Sequence, residues 1–217
     1  MSCQDTQTVV KKAEKKTPVL FDKKTKAIQK TKAETKPMIT QQNAIAFLTA
    51  YGKKHTQTNV VIHTRLGDIH IQLYKKTPLH RANFLFLINQ GYFNTTCFHR
   101  VVEGFIIQAG QSDNPKTSAL RKKIGRYKIP PEFVSKYKHH KGTLSAARRW
   151  NENPKKQSDA FEFFIVHKEK GLHHLDQEHT AFGRVTKGLS VVDEIAKIAI
   201  DKGEWPLNDV YLSVQIN

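Results

Sequence analysis

Short apolar runs, several with strict alternation of apolar and polar residues, recur from about residue 58 to the end of the chain. Apolar side chains at every second position are typical of a strand with one buried face. The runs lie at 60–66, 69–73, 97–102, 105–108, 144–147, 161–166, 180–185 and 210–216. The pair Gly67-Asp68 predicts a hairpin turn between the first two. We therefore expect a mainly β domain.

Two stretches within this region place apolar residues at helical spacing. In the first stretch, Thr77 is a typical N-terminal cap, Pro78 is typical of the first helical turn, and Gly91 is typical of the residue that ends a helix. The apolar positions are Ala82, Leu85 and Phe86 in the first stretch and Leu189, Val192, Ile195, Ala196 and Ala199 in the second. Many short strands with two separated helices predict a closed antiparallel barrel whose open ends are covered by the helices.

The chain before the strands divides into two parts. Residues 1–38 are rich in Lys, Thr, Gln and Glu, which predicts a disordered basic tether because so few apolar groups cannot offset chain entropy. Residues 39–57 contain a short helical extension, with Thr40 as its cap, Gly52 as its end, and Ile45 and Leu48 on the docking face. Residues 58–217 form the barrel domain. Residues 111–141 are a basic insert within it, long enough to predict an ordered or functional excursion.

The composition fits a soluble globular protein with a strongly basic surface. The 217 residues carry a formal charge of +17, a balance that first suggests nucleic acid as partner. However, the lysines are spread along the chain and no nucleic-acid-binding motif is evident. We expect no specific nucleic acid partner, only weak and salt-sensitive attraction to polyanions. No apolar run approaches the roughly 18 residues that span a bilayer. We also expect a monomer.

The two cysteines form neither a disulfide framework nor a metal-type pair. Cys97 lies beside an apolar run, whereas Cys3 lies in the polar tail. A cysteine followed by a lysine-rich tether is typical of a processed lipoprotein, so Cys3 is a possible lipid anchor. That interpretation requires a leader upstream of the given sequence. With a leader we expect a periplasmic or membrane-anchored lipoprotein, and without one a cytoplasmic protein.

Several kinds of active site can be set aside from the residues alone. Ser145 does not lie in a nucleophile elbow, and no glycine-rich phosphate loop or dinucleotide fingerprint occurs. The histidines at 139, 140, 173, 174 and 179 lack a fixed pair of carboxylates, so neither a metal nor another cofactor is expected. What is left is an apolar set with a few polar groups, typical of a small ligand pocket: Phe105, Ile106, Phe164, Leu175, Phe182, Arg100, Gln108 and His179.

These residues lie within a series of specific motifs. The motifs are Ala82-Asn83-Phe84, Gly91-Tyr92-Phe93, Phe98-His99-Arg100-Val101-Val102, Gly104-Phe105-Ile106-Ile107-Gln108, Gly142-Thr143-Leu144-Ser145-Ala146-Ala147, Phe163-Phe164-Ile165, and Leu175-Asp176 with His179 and Phe182-Gly183. With them the chain resembles the cyclophilin family of peptidyl-prolyl cis/trans isomerases from about residue 60 to 216. The insert and the preceding helix resemble a bacterial subset. The resemblance implies an eight-stranded barrel with two capping helices and an outer groove for proline-containing peptides and flexible or unfolded protein segments.

The resemblance also assigns roles by position. It implies that Arg100 is the catalytic arginine and that Gln108 positions it. The proline ring would be held by Phe105, Ile106, Phe164, Leu175 and His179. Backbone groups of Ala147 and Arg148 would pair with the substrate chain, with Arg148 in place of the usual asparagine.

Three departures from the family pattern bear on the site. Glu162 replaces a usual glutamine, and its carboxylate could pair with Arg100 or Arg148 and alter peptide preference. His174 stands where many members have tryptophan, which puts cyclosporin affinity in doubt, and Ala109 replaces a usual glycine. Two alternatives to the isomerase therefore stay open: a binding or chaperone module that has lost catalysis, and a polyanion binder.

Strand alternation predicts how a charged arginine fits an apolar run. If Phe98, Val101 and Ile107 face the barrel interior, then Arg100, Ile106 and Gln108 face the outer groove. Phe105 would then have to be turned to the groove by an irregular entry into its strand.

Overall fold

The computed structural model describes residues 38–217, so the predicted tether lies outside the described residues except for Met38. Within this range no helix is long and apolar enough to cross a membrane. The helices are α1 Ala44–Lys54, α2 Pro78–Asn89, α3 Pro115–Ile124 and α4 Leu189–Ala196. The strands are β1 Ile39–Thr40, β2 Asn59–Thr64, β3 Gly67–Leu73, β4 Cys97–Val102, β5 Ile106–Gln111, β6 Gly125–Arg126, β7 Lys128–Ile129, β8 Thr143–Ala146, β9 Ser158–Asp159, β10 Phe163–Val166, β11 Ala181–Lys187 and β12 Leu212–Ile216.

Eight of these strands form one antiparallel sheet in the order β12-β2-β3-β11-β8-β10-β5-β4. The sheet is strongly curled, and its edge strands β4 and β12 approach one another. An isolated bridge joins Cys97 to Tyr211, and Phe98 N–H donates to the Val210 carbonyl at 3.0 Å. These contacts are not a continuous ladder. The mainly β, eight-stranded prediction is confirmed, but a closed barrel overstates what is a curled half-barrel.

Alternating strand residues and two helices fill the interior of this sheet. Strand side chains such as Ile62, Ile69 and Phe163 are almost fully buried, and Leu85 of α2 and Ile195 of α4 pack against the same core. The two predicted capping helices are therefore present. Burial of this apolar surface is the main contribution to the stability of the fold.

Two details of the predicted elements are corrected by the structure. In the first hairpin Thr64 already pairs with Gly67, so the turn is Arg65-Leu66 and Gly67-Asp68 belongs to β3. At the start of α2, Thr77 occupies the cap position but makes no side-chain capping bond. Instead the carboxylate of Glu132, from the insert, accepts hydrogen bonds from two backbone N–H groups of the first turn at 3.0 and 2.9 Å.

The N-terminal helix begins and ends at other residues than predicted. Its cap position is Asn43 rather than Thr40, and it continues through Gly52 to Lys54. A Cβ added to Gly52 would lie 3.1 Å from the Ala82 side chain, so this glycine allows close packing of α1 on α2. Leu48 is buried as predicted, but Ile45, also predicted on the docking face, is 51% exposed, and Ala44 is buried instead.

The insert at 111–141 is an ordered part of the domain. It contains α3 and two short strands, of which β6 pairs in parallel with β1 and β7 pairs with β9. Ile124, Tyr127 and Ile129 are buried in the main core. The insert thus connects the N-terminal extension to the barrel, and it brings α3 beside the groove described next.

Candidate active site

A β-bulge in β4 determines where Arg100 lies. The pairing of β4 with β5 shifts between Phe98 and Arg100, which leaves His99 as an extra residue. Without the bulge, Phe98 and Val101 would face opposite sides of the sheet, because side chains alternate along a strand. With it, both face the interior and are at most 1% exposed, while Arg100 faces outward. As predicted, Ile107 is also interior.

The outer face carries a second apolar cluster, separate from the main core. It comprises Ile106, Ala147, Phe164, Val166, Leu172 and Leu175, with Phe105 packed against it. Phe105 lies just before β5, where the chain leaves the Glu103-Gly104 turn, and this irregular entry turns its ring to the groove. Phe182, by contrast, belongs to the main core and not to the groove.

A cavity of about 510 Å³ lies over this cluster. It is lined by eleven of the twelve residues that the sequence singled out, all but Phe182: Arg100, Phe105, Ile106, Gln108, Ala147, Arg148, Glu162, Phe164, His174, Leu175 and His179. The size and the apolar floor suit a small ligand group held by a few polar contacts. The cavity is also lined by five residues that the sequence did not single out: Gln111, Arg121, Arg149, Trp150 and Asp159.

His179 is a neutral part of the apolar wall. Its Nδ1–H donates to the Ala146 carbonyl at 3.0 Å, and its ring meets Phe164 edge to face at 5.4 Å between centroids. Burial, with a smaller effect of the nearby Arg148 charge, lowers the pKa of His179 to about 4. At neutral pH the ring is therefore uncharged, which suits contact with an apolar group. Trp150 adds a further aromatic surface 5.3 Å from it.

Arg100 extends along the groove and meets a carboxylate that the sequence did not predict. Its Nε donates to Glu204 Oε2 at 2.5 Å. Its guanidinium carbon lies 5.9 Å from the centre of the Phe105 ring, within cation–π range. Glu204 comes from the loop between α4 and β12, more than one hundred residues along the chain from its partner, so no local sequence signal could have paired them.

Glu162 pairs with an arginine of the insert, Arg121, and not with Arg100 or Arg148. Its two oxygens accept hydrogen bonds from Arg121 of α3 and from Gln108, both at 3.1 Å. Burial alone would raise the pKa of Glu162, but the His99 ring and the Arg121 guanidinium outweigh it and lower that pKa to about 2. The carboxylate is thus charged and already paired. The predicted pairing with Arg100 or Arg148 is wrong.

Gln108 faces this same network. Besides Glu162, its amide nitrogen contacts His99 Nε2 at 3.4 Å. Within residues 38–217, no hydrogen bond joins Gln108 to Arg100. The direct positioning contact implied by the family resemblance is therefore absent from this structure.

Arg148 is held by a carboxylate of its own. Its Nε and Nη2 donate to the backbone and side chain of Glu178 at 2.6 and 2.7 Å, and its guanidinium carbon lies 4.2 Å from the Trp150 ring centre. The neighbouring Ala147 uses both its backbone groups internally, with Glu162 and Asp159. The backbone N–H and carbonyl of Arg148, by contrast, make no backbone–backbone hydrogen bond within the described residues. Of the two residues predicted to pair with the substrate backbone, only Arg148 therefore has both groups available.

A buried Ser-His-Asp series lies behind the groove. His139 joins Asp176 Oδ1 and Ser145 Oγ at 2.9 Å each. Ser145 has no solvent exposure, so a substrate cannot reach its hydroxyl and the series is structural. Among the described residues, no group of three or more His, Cys, Asp or Glu side chains is arranged to hold a metal ion.

Comparison with known proteins agrees with this fold. The family model described as cyclophilin type peptidyl-prolyl cis-trans isomerase matches residues 59–215. The chain belongs to the cyclophilin-type peptidyl-prolyl cis-trans isomerase family. It is 36% identical over 157 residues to peptidyl-prolyl cis-trans isomerase-like 3 of Dictyostelium discoideum, an alignment covering 71% of this chain and 91% of that protein.

Solved structures show the same relationship. A cyclophilin-type peptidyl-prolyl cis-trans isomerase of Cryptosporidium parvum superposes with a TM-score of 0.64 at 26% identity, covering 74% of this chain and 98% of that one. Its structure in the presence of the dipeptide Ala-Pro superposes with a TM-score of 0.62 at 26% identity, over 73% of this chain and 98% of that one.

Proposed function

We propose that this protein catalyses cis/trans rotation about X-Pro peptide bonds in flexible or unfolded protein segments and thereby assists their folding. The observation that carries the proposal is the groove itself, where Arg100 lies beside the apolar cluster that forms the floor of the cavity. Family membership supports it, as does the related structure studied with Ala-Pro.

The energetic requirement on such a site is modest. The barrier to rotation about a peptide bond is about 18–20 kcal/mol. A turnover of about 10³ per second corresponds to a barrier of about 13 kcal/mol, so the site has to supply only about 5–7 kcal/mol. That range is accessible to positioning and electrostatic stabilisation without a covalent intermediate.

In this proposal Arg100 stabilises the twisted amide. Rotation breaks amide resonance and returns a lone pair to the prolyl nitrogen. A guanidinium N–H can donate to that nitrogen or to the rotating carbonyl oxygen, and the bond is stronger in the twisted state than in the planar one. Arginine suits this role because it does not deprotonate at any relevant pH. With Nε bonded to Glu204, the two Nη groups are the donors that would face the substrate.

The apolar cluster holds the ring while the bond rotates. Ile106, Phe164 and Leu175 are each at most 4% exposed, and Phe105 and His179 border the cavity. These surfaces exclude water, which would otherwise stabilise the planar, more polar ground state. Free backbone groups at Arg148 would align the flanking peptide.

The first test compares wild type with Arg100→Ala. We expect the variant to keep its fold and to lose about 10²-fold or more in kcat/KM on an Ala-Pro peptide, since it removes the charged donor. Arg126→Ala, at an exposed arginine of β6, is the matched control and should be fully active. Full activity of Arg100→Ala would refute the role of this arginine. A wild type that binds the peptide without isomerising it would point to a binding module instead.

A further inference from the structure

We infer that Glu204 is a positioning residue for Arg100 and that the loop between α4 and β12 is thereby part of the active site. The inference rests on the proposed catalytic role of Arg100. It follows from three observations: the direct contact between the two side chains, the engagement of Gln108 elsewhere, and the backbone conformation of Glu204.

The contact restrains the guanidinium at one end only. Glu204 accepts from Nε of Arg100 at 2.5 Å, the nitrogen nearest the aliphatic part of the side chain. A charge-assisted bond at Nε fixes the plane of the guanidinium and leaves both terminal nitrogens free to donate. This is the arrangement that a positioned donor requires, because a flexible arginine would lose orientation before it could stabilise the twisted amide.

Gln108 does not provide this restraint. Its side-chain nitrogen contacts Glu162 at 3.1 Å and His99 at 3.4 Å. Glu162 in turn is held by Arg121 at 3.1 Å. The glutamine is thus part of a network that leads away from Arg100 and towards the insert. Among residues 38–217, Glu204 is the only side chain that forms a hydrogen bond or ion pair with Arg100.

The backbone of Glu204 is held in a conformation that favours glycine. Its φ is +66°, in the left-handed region that non-glycine residues seldom adopt. Its carbonyl accepts from Val101 N–H at 2.8 Å and its own N–H donates to the Asp201 carbonyl at 3.1 Å. A glycine would make the same backbone bonds without strain. A glutamate at such a position points to a use for its side chain.

The ion pair contributes little to the stability of the fold. The side chains of Arg100 and Glu204 are 36% and 40% exposed, and ion pairs this exposed are weak because solvent and salt screen them. Loss of the pair should therefore affect catalysis without unfolding the protein. Stability and activity are separable readouts here.

The test uses Glu204→Gly, which removes the carboxylate and relieves the backbone. We expect kcat on an Ala-Pro peptide to fall about tenfold with little change in KM, while Tm is unchanged or higher. Glu204→Gln, which keeps an acceptor for Nε, should lose about threefold or less. The matched control is Glu152→Gly, the same substitution at another glutamate with positive φ (55°), which should keep full activity.

A double-variant cycle tests whether Glu204 affects activity through Arg100. If Glu204 acts through Arg100, then adding Glu204→Gly to Arg100→Ala causes no further loss in residual activity, measured at high enzyme concentration. Multiplicative losses, or a Glu204→Gly variant with wild-type kcat, would overturn the inference. Those outcomes differ from failure of the proposed function, which would show as an inactive wild type or a fully active Arg100→Ala.

Discussion

At the level of single residues, the charged side chains of the groove are held in specific ion pairs. Two arginines of the groove are bonded to carboxylates from other loops, Arg100 to Glu204 and Arg148 to Glu178. Glu162, the least usual residue of the groove, is neutralised by Arg121. The carboxylate therefore does not compete for the proposed catalytic arginine, and the feature that favoured loss of catalysis is compensated within this structure.

The depressed pKa of Glu162 predicts a specific acid sensitivity. The folded value is about 2 against an ordinary 4.5, so its contribution to stability is fully present above about pH 4.5 and lost as pH falls towards 2. Glu162→Gln should flatten the fall in the free energy of unfolding over this range by about 2–3 kcal/mol. Denaturant unfolding at a series of pH values measures it, with the exposed Glu103→Gln as control. Parallel curves for wild type and Glu162→Gln would show that the pairing is not strong.

Sequence reasoning reached the residues of the groove but not their partners. Eleven of the twelve candidates, all but Phe182, line one cavity. Side-chain pairing depends on distances between segments far apart in the chain, and nothing in the local pattern encodes it. This is why the carboxylate of Glu204 was missed and the partner of Glu162 was predicted wrongly. Arg121 was hidden among the lysines of a basic run.

At the level of secondary-structure elements, the insert adds a charged side chain to the groove. Helix α3 projects Arg121 towards the groove, where it also donates to the Tyr92 hydroxyl at 2.6 Å and the Gly110 carbonyl at 2.9 Å. The same insert supplies the carboxylate at the start of α2. Its length indicated an ordered excursion, but two-residue strands such as β6 and β7 are too short to show a period.

Removal of Arg121 from α3 should lower the stability of the protein, because it leaves the buried carboxylate of Glu162 without its ion-pair partner. Arg121→Ala leaves Glu162 without its cation, and we expect a loss of about 2 kcal/mol in stability, about 4–8 °C in Tm. Activity should fall as well, since the freed carboxylate lies in the same cavity as Arg100. Lys122→Ala, at an exposed position of the same helix, should change neither.

The double variant Arg121→Ala, Glu162→Gln provides the internal check. Because it removes the buried charge together with its partner, it should recover most of the lost stability and activity. If the double variant is as impaired as Arg121→Ala alone, then the arginine acts through its contacts with Tyr92 and Gly110 and not through the carboxylate.

At the scale of the whole molecule, the alternating pattern was enough to predict the sheet but not its closure. Alternation shows which side chains face inward, whereas closure depends on hydrogen bonds between the edge strands β4 and β12, which form only a few. The monomeric state, the lipid anchor at Cys3, the compartment, the bacterial subset and the absence of a specific nucleic acid partner stay predictions.

Rotation of the X-Pro bond by this groove can be measured directly. The most direct measurement is the cis/trans exchange rate of an Ala-Pro peptide by NMR in the presence of catalytic amounts of the wild-type protein. Uncatalysed exchange takes tens to hundreds of seconds. We expect the protein to accelerate exchange to well under a second per event, in proportion to its concentration. An exchange rate that stays at the uncatalysed value while the peptide resonances report binding would contradict it.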